Sequence, residues 1–453
     1  MIPSYVQQVL YRLRQAGHAA YPVGGCVRDR LLGLSPKDWD VCISARPEET
    51  EALFADFPLI TTGKKHGTVG VVIDHTAVEV TTFRRDGAYM DSRHPESVTF
   101  LCDVAGDLSR RDFTINAMAL DEGEELIDPF GGQADLQNGI LRAVGDPDLR
   151  FREDALRILR GLRFAARLGF CVEERTARAM LTHRDLLHNV SAERVFAELK
   201  GILSGPHAAN VLAAFAPVIF TVLPELAPMA GFLQHSPYHD KDVWGHTLCA
   251  LAAAPGEPVY LRLALLFHDC GKPACFTLGE DGRGHFYGHP QISARIAESC
   301  LRRLACDKAT LDRVLFLIEN HDRMLPETPG RMGRLLLEFG EEELKALLLI
   351  ERCDALAHAP KVREQAVKNV DRWEGLLFQV LENHPVQSLH DLAISGRDLL
   401  SLGMAPGPEL GRVLHSLLNQ VAEGSLPNEK TALLAAAQKY LSFPCNNSAA
   451  SGV

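Results

Sequence analysis

Two aspartates set two positions apart, Asp38 and Asp40, are the pair in this chain best suited to chemistry. In an extended segment both side chains point to one face and can share hard divalent cations such as Mg2+, whereas on a helix they would diverge. Such a pair suits two-metal nucleotidyl transfer, in which one ion activates an attacking hydroxyl and the other neutralises the leaving pyrophosphate. Glu79, inside the strand-like run Val78 to Phe83, is a candidate third carboxylate. Upstream stands Gly24-Gly25-Cys26-Val27-Arg28-Asp29. Gly24 and Gly25, between a strand and a helix, let backbone N–H groups approach a triphosphate, and Arg28 can add a charge-assisted hydrogen bond to the same phosphates. Taken alone, paired glycines also mark an ordinary turn, and an aspartate an ordinary loop cap.

These residues need a sheet to hold them. Apolar positions at Val6, Val9, Leu10 and Leu13 have helical spacing. Strand-like runs follow at 20–23, 40–43, 68–73 and 77–83, so a mixed α/β pattern extends to about residue 140. Beyond Asp146 long helical runs take over, with breaks or caps at Ser191, Pro206, Pro217, Pro237 and Pro360. The expected domains are 1–140, 141–225, 226–365 and 366–453. With 453 residues and 46% hydrophobic composition the chain can bury a large core, and its length points to several domains. No signal-peptide pattern opens the sequence, and the longest apolar stretch, Val211 to Leu223, is cut by Pro217. A cytoplasmic protein with no membrane span is expected. The eleven cysteines, among them Cys26, Cys42, Cys102, Cys171 and Cys270, lack a CxxC zinc spacing and read as reduced thiols. A net charge of −11 excludes a protein that coats nucleic acid indiscriminately. It leaves room for a local basic track, and arginines crowd between Arg142 and Arg167.

The order of blocks resembles the class II, bacterial-type CCA-adding tRNA nucleotidyltransferases and their poly(A) polymerase relatives. The matching blocks are Gly24 to Asp29, Asp38 to Asp40, Glu79 to Arg84, Arg110 to Met118, Asp128 to Gly132 with Asp135-Leu136, and Glu153 to Arg157. The resemblance implies an α/β nucleotidyltransferase head with a polymerase-beta-like sheet, followed by a mostly α-helical neck, body and tail. It implies further that the enzyme extends the tRNA 3′ end from CTP and ATP without a nucleic-acid template. On that reading Asp38 and Asp40 hold Mg2+, with Glu79 beside them. Gly24, Gly25, Arg28, Arg111, Asp112, Asn116, Asp154, Arg157, Arg160 and Arg163 contact nucleotide. Asp154 and Arg157 also have a chemical reading. On a helix, positions i and i+3 share a face, placing an acceptor beside a donor. Cytosine and adenine each offer an amino group beside a ring nitrogen acceptor and fit such a pair. Uracil and guanine present a carbonyl beside an N–H, and each mispaired buried group costs about 1–3 kcal/mol. The polar loop Arg85 to Pro95 resembles the one this family uses in switching from C to A addition. A-adding enzymes and poly(A) polymerases keep similar blocks and stay open as alternatives.

Downstream, His246, His268-Asp269 before Gly271-Lys272, and Asp354 resemble the HD metal-dependent phosphohydrolase pattern. Imidazoles and carboxylates can hold a divalent transition metal and lower the pKa of bound water, and His289 and His321 are candidates for a second ion. Two further readings remain: a phosphohydrolase that uses its head to hold RNA, and a noncatalytic tRNA-binding scaffold.

Overall fold

The computed structural model describes residues 2–86, 98–101, 103–383, 386 and 388–442. The polar loop predicted at 85–95 lies outside the described residues from 87 onward, as do Cys102 and the C-terminal end. The chain divides into two compact units, one formed by 1–227, 255–259 and 299–307, the other by 228–254, 260–298 and 308–453.

In the first unit, helix α1 (Ser4–Gln15) buries Val6, Val9, Leu10 and Leu13, the stripe its spacing predicts. Strand β1 (Ala20–Val23) follows, then α2 (Gly25–Leu31), β2 (Asp40–Ile43), α3 (Pro47–Leu53), β3 (Leu59–Ile60), β4 (Thr68–Ile73) and β5 (Thr76–Thr82). A separate ribbon pairs β6 (Arg84–Asp86) with β7 (Val98–Phe100), and after α4 (Val104–Ser109) come β8 (Ala119–Leu120) and β9 (Leu126–Ile127). The sheet order is β3-β4-β5-β2-β1-β8-β9. Pro22 is tolerated in β1 because β8 pairs with β1 only at Val23, so no neighbour there needs the missing N–H. β2 and β5 run parallel, in a register that sets Asp40 opposite Glu79. Val23, Cys42, Phe83, Leu108, Ala117, Ala119 and Val144 fill the core behind this edge.

Three short helices and three longer ones complete the part of this unit that matters to the site. α4 and α5 (Gly132–Gln137) flank the sheet; α6 (Pro147–Glu153) starts at Asp146, whose side chain accepts from Asp148 N–H, with Pro147 preset for the first helical position. α7 (Leu156–Leu168), α8 (Glu174–Thr182) and α9 (Ala192–Leu203) carry the arginines. Gly161 lets α7 close on its neighbours: a Cβ there would lie 2.3 Å from Met180 Cε and 2.8 Å from Phe113 Cζ. Pro217 splits the apolar run at 211–223 into helices Ala208–Ala214 and Ala216–Val222.

The second unit is helical apart from a small ribbon, Thr277–Leu278 with Gly284–His285. Helix Val243–Ala253 carries His246 and packs on Glu341–Ala357, which carries Asp354. Val413, Leu417, Leu399 and Leu433 centre a core shared by the last three helices. No helix among the described residues is long and apolar enough to cross a membrane.

Candidate functional site

A cleft of about 810 Å³ opens in the first unit at the Asp40 and Glu79 end of this register, lined by Gly24, Gly25, Asp40, Glu79, Asp112, Asn116, Asp154 and Phe164 and by nine arginines. Four carboxylates among nine guanidiniums make the cleft locally positive on a protein of net charge −11.

Asp40 begins β2, half-buried. Burial pushes its carboxyl above the usual range; Arg111 pulls it back, while Glu79 and Asp38 push it further up. Three carboxylates therefore crowd one spot and favour a cation there. Asp38 stands exposed in the bend before β2 and is not part of the cleft wall, and Trp39 between the two aspartates is buried. Gly24, at φ +81°, turns the chain from β1 into α2, and a Cβ there would meet Arg111 Nη1 at 2.8 Å.

Arg28 lines the cleft and is also held from below. It is buried, donating from Nε and Nη2 to Asp29 Oδ1 (2.9 and 2.6 Å) and from Nη1 to Asn116 Oδ1 (2.6 Å). Asn116 in turn donates to Asp112 Oδ1 (3.3 Å), and Asp112 Oδ2 accepts from Arg160 Nε (2.8 Å). This chain of polar groups ties α2, the Arg110 to Met118 block and α7 together under the cleft floor. Burial opposes the Asp112 charge, but Arg160 and Arg157 outweigh it and hold the carboxyl at about 2. A depressed carboxylate pKa contributes stability above its unfolded value near 4 that is lost as pH falls towards 2. Asp112→Asn is therefore expected to lose about 2 kcal/mol at neutral pH. The gap in denaturant midpoint from wild type should narrow between pH 5 and pH 3; a gap independent of pH would refute the ion-pair account.

The expected helical pairing of Asp154 with Arg157 is corrected by the structure. Asp154 stands in the break between α6 and α7, in extended backbone, and its Oδ1 accepts from Leu156 N–H. Its ionic partner is Arg194 of α9, at 3.1 Å from Oδ2. Arg157 instead donates to Glu153 Oε2 (2.8 Å), Arg150 O (3.3 Å) and Arg110 O (2.9 Å). Both residues still face the same cleft. Arg163 pairs with Glu198 at 2.6 Å, and the arginines of α7 gather around Phe164, Arg163 at 4.9 Å and Arg28 from α2 at 5.2 Å from its ring centre. Arg84 and Arg110, from the blocks that carry the resemblance, and Arg167, from the arginine run, also line the cleft without having been named as nucleotide contacts, and Arg194 and Phe164 join them; Arg194 arrives from forty residues away, with no local pattern to announce it.

The second unit holds a buried cluster. His246 Nε2 is 2.7 Å from Asp354 Oδ1, His268 Nε2 is 3.3 Å from Asp269 Oδ2, and His289 Nε2 is 3.4 Å from Asp269 Oδ1. His246, His268 and Asp269 place donor atoms close enough to share one cation, and so do Asp269, His289 and His321. His268, His289 and His321 each direct Nδ1 at a backbone carbonyl, of Leu265, Phe286 and Ile318. A carbonyl only accepts, so Nδ1 carries the proton and Nε2 presents a lone pair to the cluster, the orientation found in metal-ligating histidines. Burial pushes His321 down, and its Nε2 lies 3.1 Å from that of His289, two lone pairs facing one another. Buried Asp269 faces the Lys272 ammonium through Oδ2, and its Oδ1 stands 3.4 Å from His289 Nε2 and 3.7 Å from His321 Nε2. Burial opposes charge on His268, but Asp269 and Asp354 raise it to about 10, so without an ion its Nε2 also carries a proton, one that a bound cation would displace to expose the lone pair. His239 and His358 join the group unannounced by the sequence pattern, His358 3.1 Å from Asp354 Oδ2, and Lys272 of the Gly-Lys step is 2.7 Å from Asp269 Oδ2.

A family model described as the poly A polymerase head domain matches residues 20–142. One described as a probable RNA and SrmB-binding site of polymerase A matches 169–228, and one described as putative tRNA nucleotidyltransferase domain 2 matches 289–437. The chain is 47% identical over 430 residues to a CCA-adding enzyme of Geobacillus thermodenitrificans, covering 94% of each. It is 34% identical over 430 residues to one of Levilactobacillus brevis, covering 94% of this chain and 96% of that one. The crystal structure of the Bacillus stearothermophilus CCA-adding enzyme in complex with CTP is similar with a TM-score of 0.72 at 30% identity, over 98% of each chain. The carboxylate edge, the arginine-lined cleft and near full-length identity of this order place the chain in the CCA-adding enzyme family of nucleotidyltransferases.

Proposed function

We propose that this chain completes or repairs the 3′-terminal CCA of tRNA from CTP and ATP, releasing pyrophosphate at each step. The observation that carries the proposal is one cleft in which Asp40 and Glu79 stand opposite one another beside an arginine wall and the Asp154 and Arg157 edge groups. Asp38 and Asp40 would hold Mg2+, with Glu79 near; the crowding that raises the Asp40 pKa fits a cation there. When bound, the ions activate the attacking 3′ hydroxyl and neutralise charge on the leaving pyrophosphate. Arg111, half-buried next to Gly24, and Arg160 and Arg163 of α7 hold the triphosphate by charge-assisted bonds. Arg28 positions Asn116 and Asp112 and through them Arg160.

Asp154 and Arg157 read the base edge. Arg194 fixes one oxygen of Asp154 and leaves further lone pairs to accept an amino group, while Arg157 keeps Nε–H and one Nη2 proton beyond its bonds to described residues. To test this, tRNA transcripts ending before CCA, after C or after CC are incubated with the protein, Mg2+ and each nucleotide singly and together, and the 3′ ends are sequenced. Completion limited to CTP and ATP supports the reading. Addition of A alone or long A tails would replace it with an A-adding enzyme or a poly(A) polymerase.

A second activity is favoured by a separate observation, the two groups of buried donor atoms, His246, His268 and Asp269 and again Asp269, His289 and His321, each close enough to share one cation. His246, His268, Asp269 and Asp354 would hold one divalent transition metal, and His289 and His321 would share Asp269 with another; such an ion supplies an activated water for phosphoester hydrolysis. Calorimetric titration with Mn2+ or Ni2+ should show binding in wild type and a loss of more than about 100-fold in affinity in Asp269→Asn, a larger effect than that of an outer-shell partner. Equal affinities would defeat the reading.

A further inference from the structure

The histidine-aspartate cluster of the second unit is bordered by exposed side chains of a kind that a soluble surface seldom presents together. Tyr287 is 79% exposed and stacks nearly parallel on His285, with ring planes 4° apart and centroids at 5.4 Å. Its place is tied to the cluster on both sides. Phe286, before it, packs under the Lys272 ammonium at 5.5 Å, and that ammonium is 2.7 Å from Asp269. Phe286 also lends its carbonyl to His289 Nδ1, so the residue two positions after Tyr287 points its Nε2 at Asp269. Two residues of chain reach at most roughly 7 Å, which keeps the platform within one small molecule's span of the cluster. Met324, 95% exposed, follows His321 by three residues, and Tyr238, 55% exposed, precedes His239. Flat, exposed aromatic rings beside a group that handles phosphate fit the two ends of a nucleotide, since every base has a π-face to stack.

We propose that the Tyr287 and His285 pair is a stacking platform for the base of a nucleoside phosphoester whose phosphate meets the Asp269 cluster. The proposal rests on the metal-centre reading above and names its substrate class. In the reaction, the oxygen of water bonds to phosphorus, the P–O bond to the nucleoside breaks, and the released nucleoside oxygen takes up a proton.

The test compares wild type, Tyr287→Ala and Tyr287→Phe, a fully exposed position where folding is not at stake. Binding is followed by fluorescence quenching of 2-aminopurine riboside monophosphate without added metal, and hydrolysis of adenosine monophosphate is compared with that of glycerol phosphate. The expected result is about ten-fold weaker quenching-detected binding in Tyr287→Ala, restored in Tyr287→Phe. KM for adenosine monophosphate should rise by a similar factor, with glycerol phosphate hydrolysis unchanged. Unaltered probe binding in Tyr287→Ala, or an equal loss for both esters, overturns the platform. If wild type hydrolyses neither ester with any divalent ion, the metal-centre reading falls while the probe titration still decides the platform.

Discussion

Asp40→Asn should lower nucleotide addition by at least about a thousand-fold, roughly 4 kcal/mol of transition-state stabilisation, while tRNA binding and folding persist. The substitution keeps the shape of the side chain and removes only the charge that crowds against Glu79 and Asp38. A carboxyl whose pKa is raised on folding costs stability above its unfolded pKa, so at neutral pH the Asn variant should be at least as stable as wild type. The combination is diagnostic. Single-turnover C addition, a thermal melt and a filter-binding titration of tRNA together would show lost chemistry with an unchanged or higher Tm. If the residue were a structural cap, activity and stability would fall together; if the chain were a scaffold, tRNA binding alone would be its measurable property and the substitution would leave it as it was. Asp38→Ala, at an exposed position outside the cleft wall, tests whether the second aspartate joins the first in holding the ions.

For Asp154→Ala, the expected change is in selection. Removing the acceptor that meets the amino group of cytosine or adenine should lower kcat/KM for CTP and ATP by about 10- to 100-fold, the span of one buried polar group left unpaired. UTP and GTP, which gain nothing from Asp154, should change little, so the discrimination ratio collapses. Arg194→Ala gives a companion measurement. Arg194 holds Asp154 without being the edge group itself, so its loss should weaken selection in the same direction by less. An equal loss for all four nucleotides in Asp154→Ala would end the base-edge account and leave Asp154 as a brace between α6 and α9.

How far such groups can be read from sequence depends on the range of the interaction that sets them. Strands 40–43 and 68–73 are legible because a short β-branched apolar run bounded by turn residues is a local signal, and so is the stripe of α1. The alternation of exposed Asp38, buried Trp39 and half-buried Asp40 follows from the period of two. The break before α7 was not legible: Asp154-Ala155 contains neither glycine nor proline, and only the pull of Leu156 N–H and Arg194 on its carboxylate shows why the helix stops there. The partners of Arg28 were equally beyond local pattern, since nothing after the paired glycines announces that Asn116, eighty-eight residues on, accepts from its guanidinium.

What the amino-acid order determined by itself is which chemical groups are available and which neighbours share a face: the carboxylate pair, the glycine turn, the arginine-rich run and the His-Asp dipeptide. Only the tertiary structure decided their partners. The parallel register that sets Glu79 beside Asp40, the reach of Arg194 to Asp154, and the gathering of His246, Asp269, His321 and Asp354 join residues forty to a hundred positions apart. The physical reason is that periodicity and capping act over a few residues, whereas ion pairs and ligand clusters are fixed by which helices and strands bury their apolar faces together.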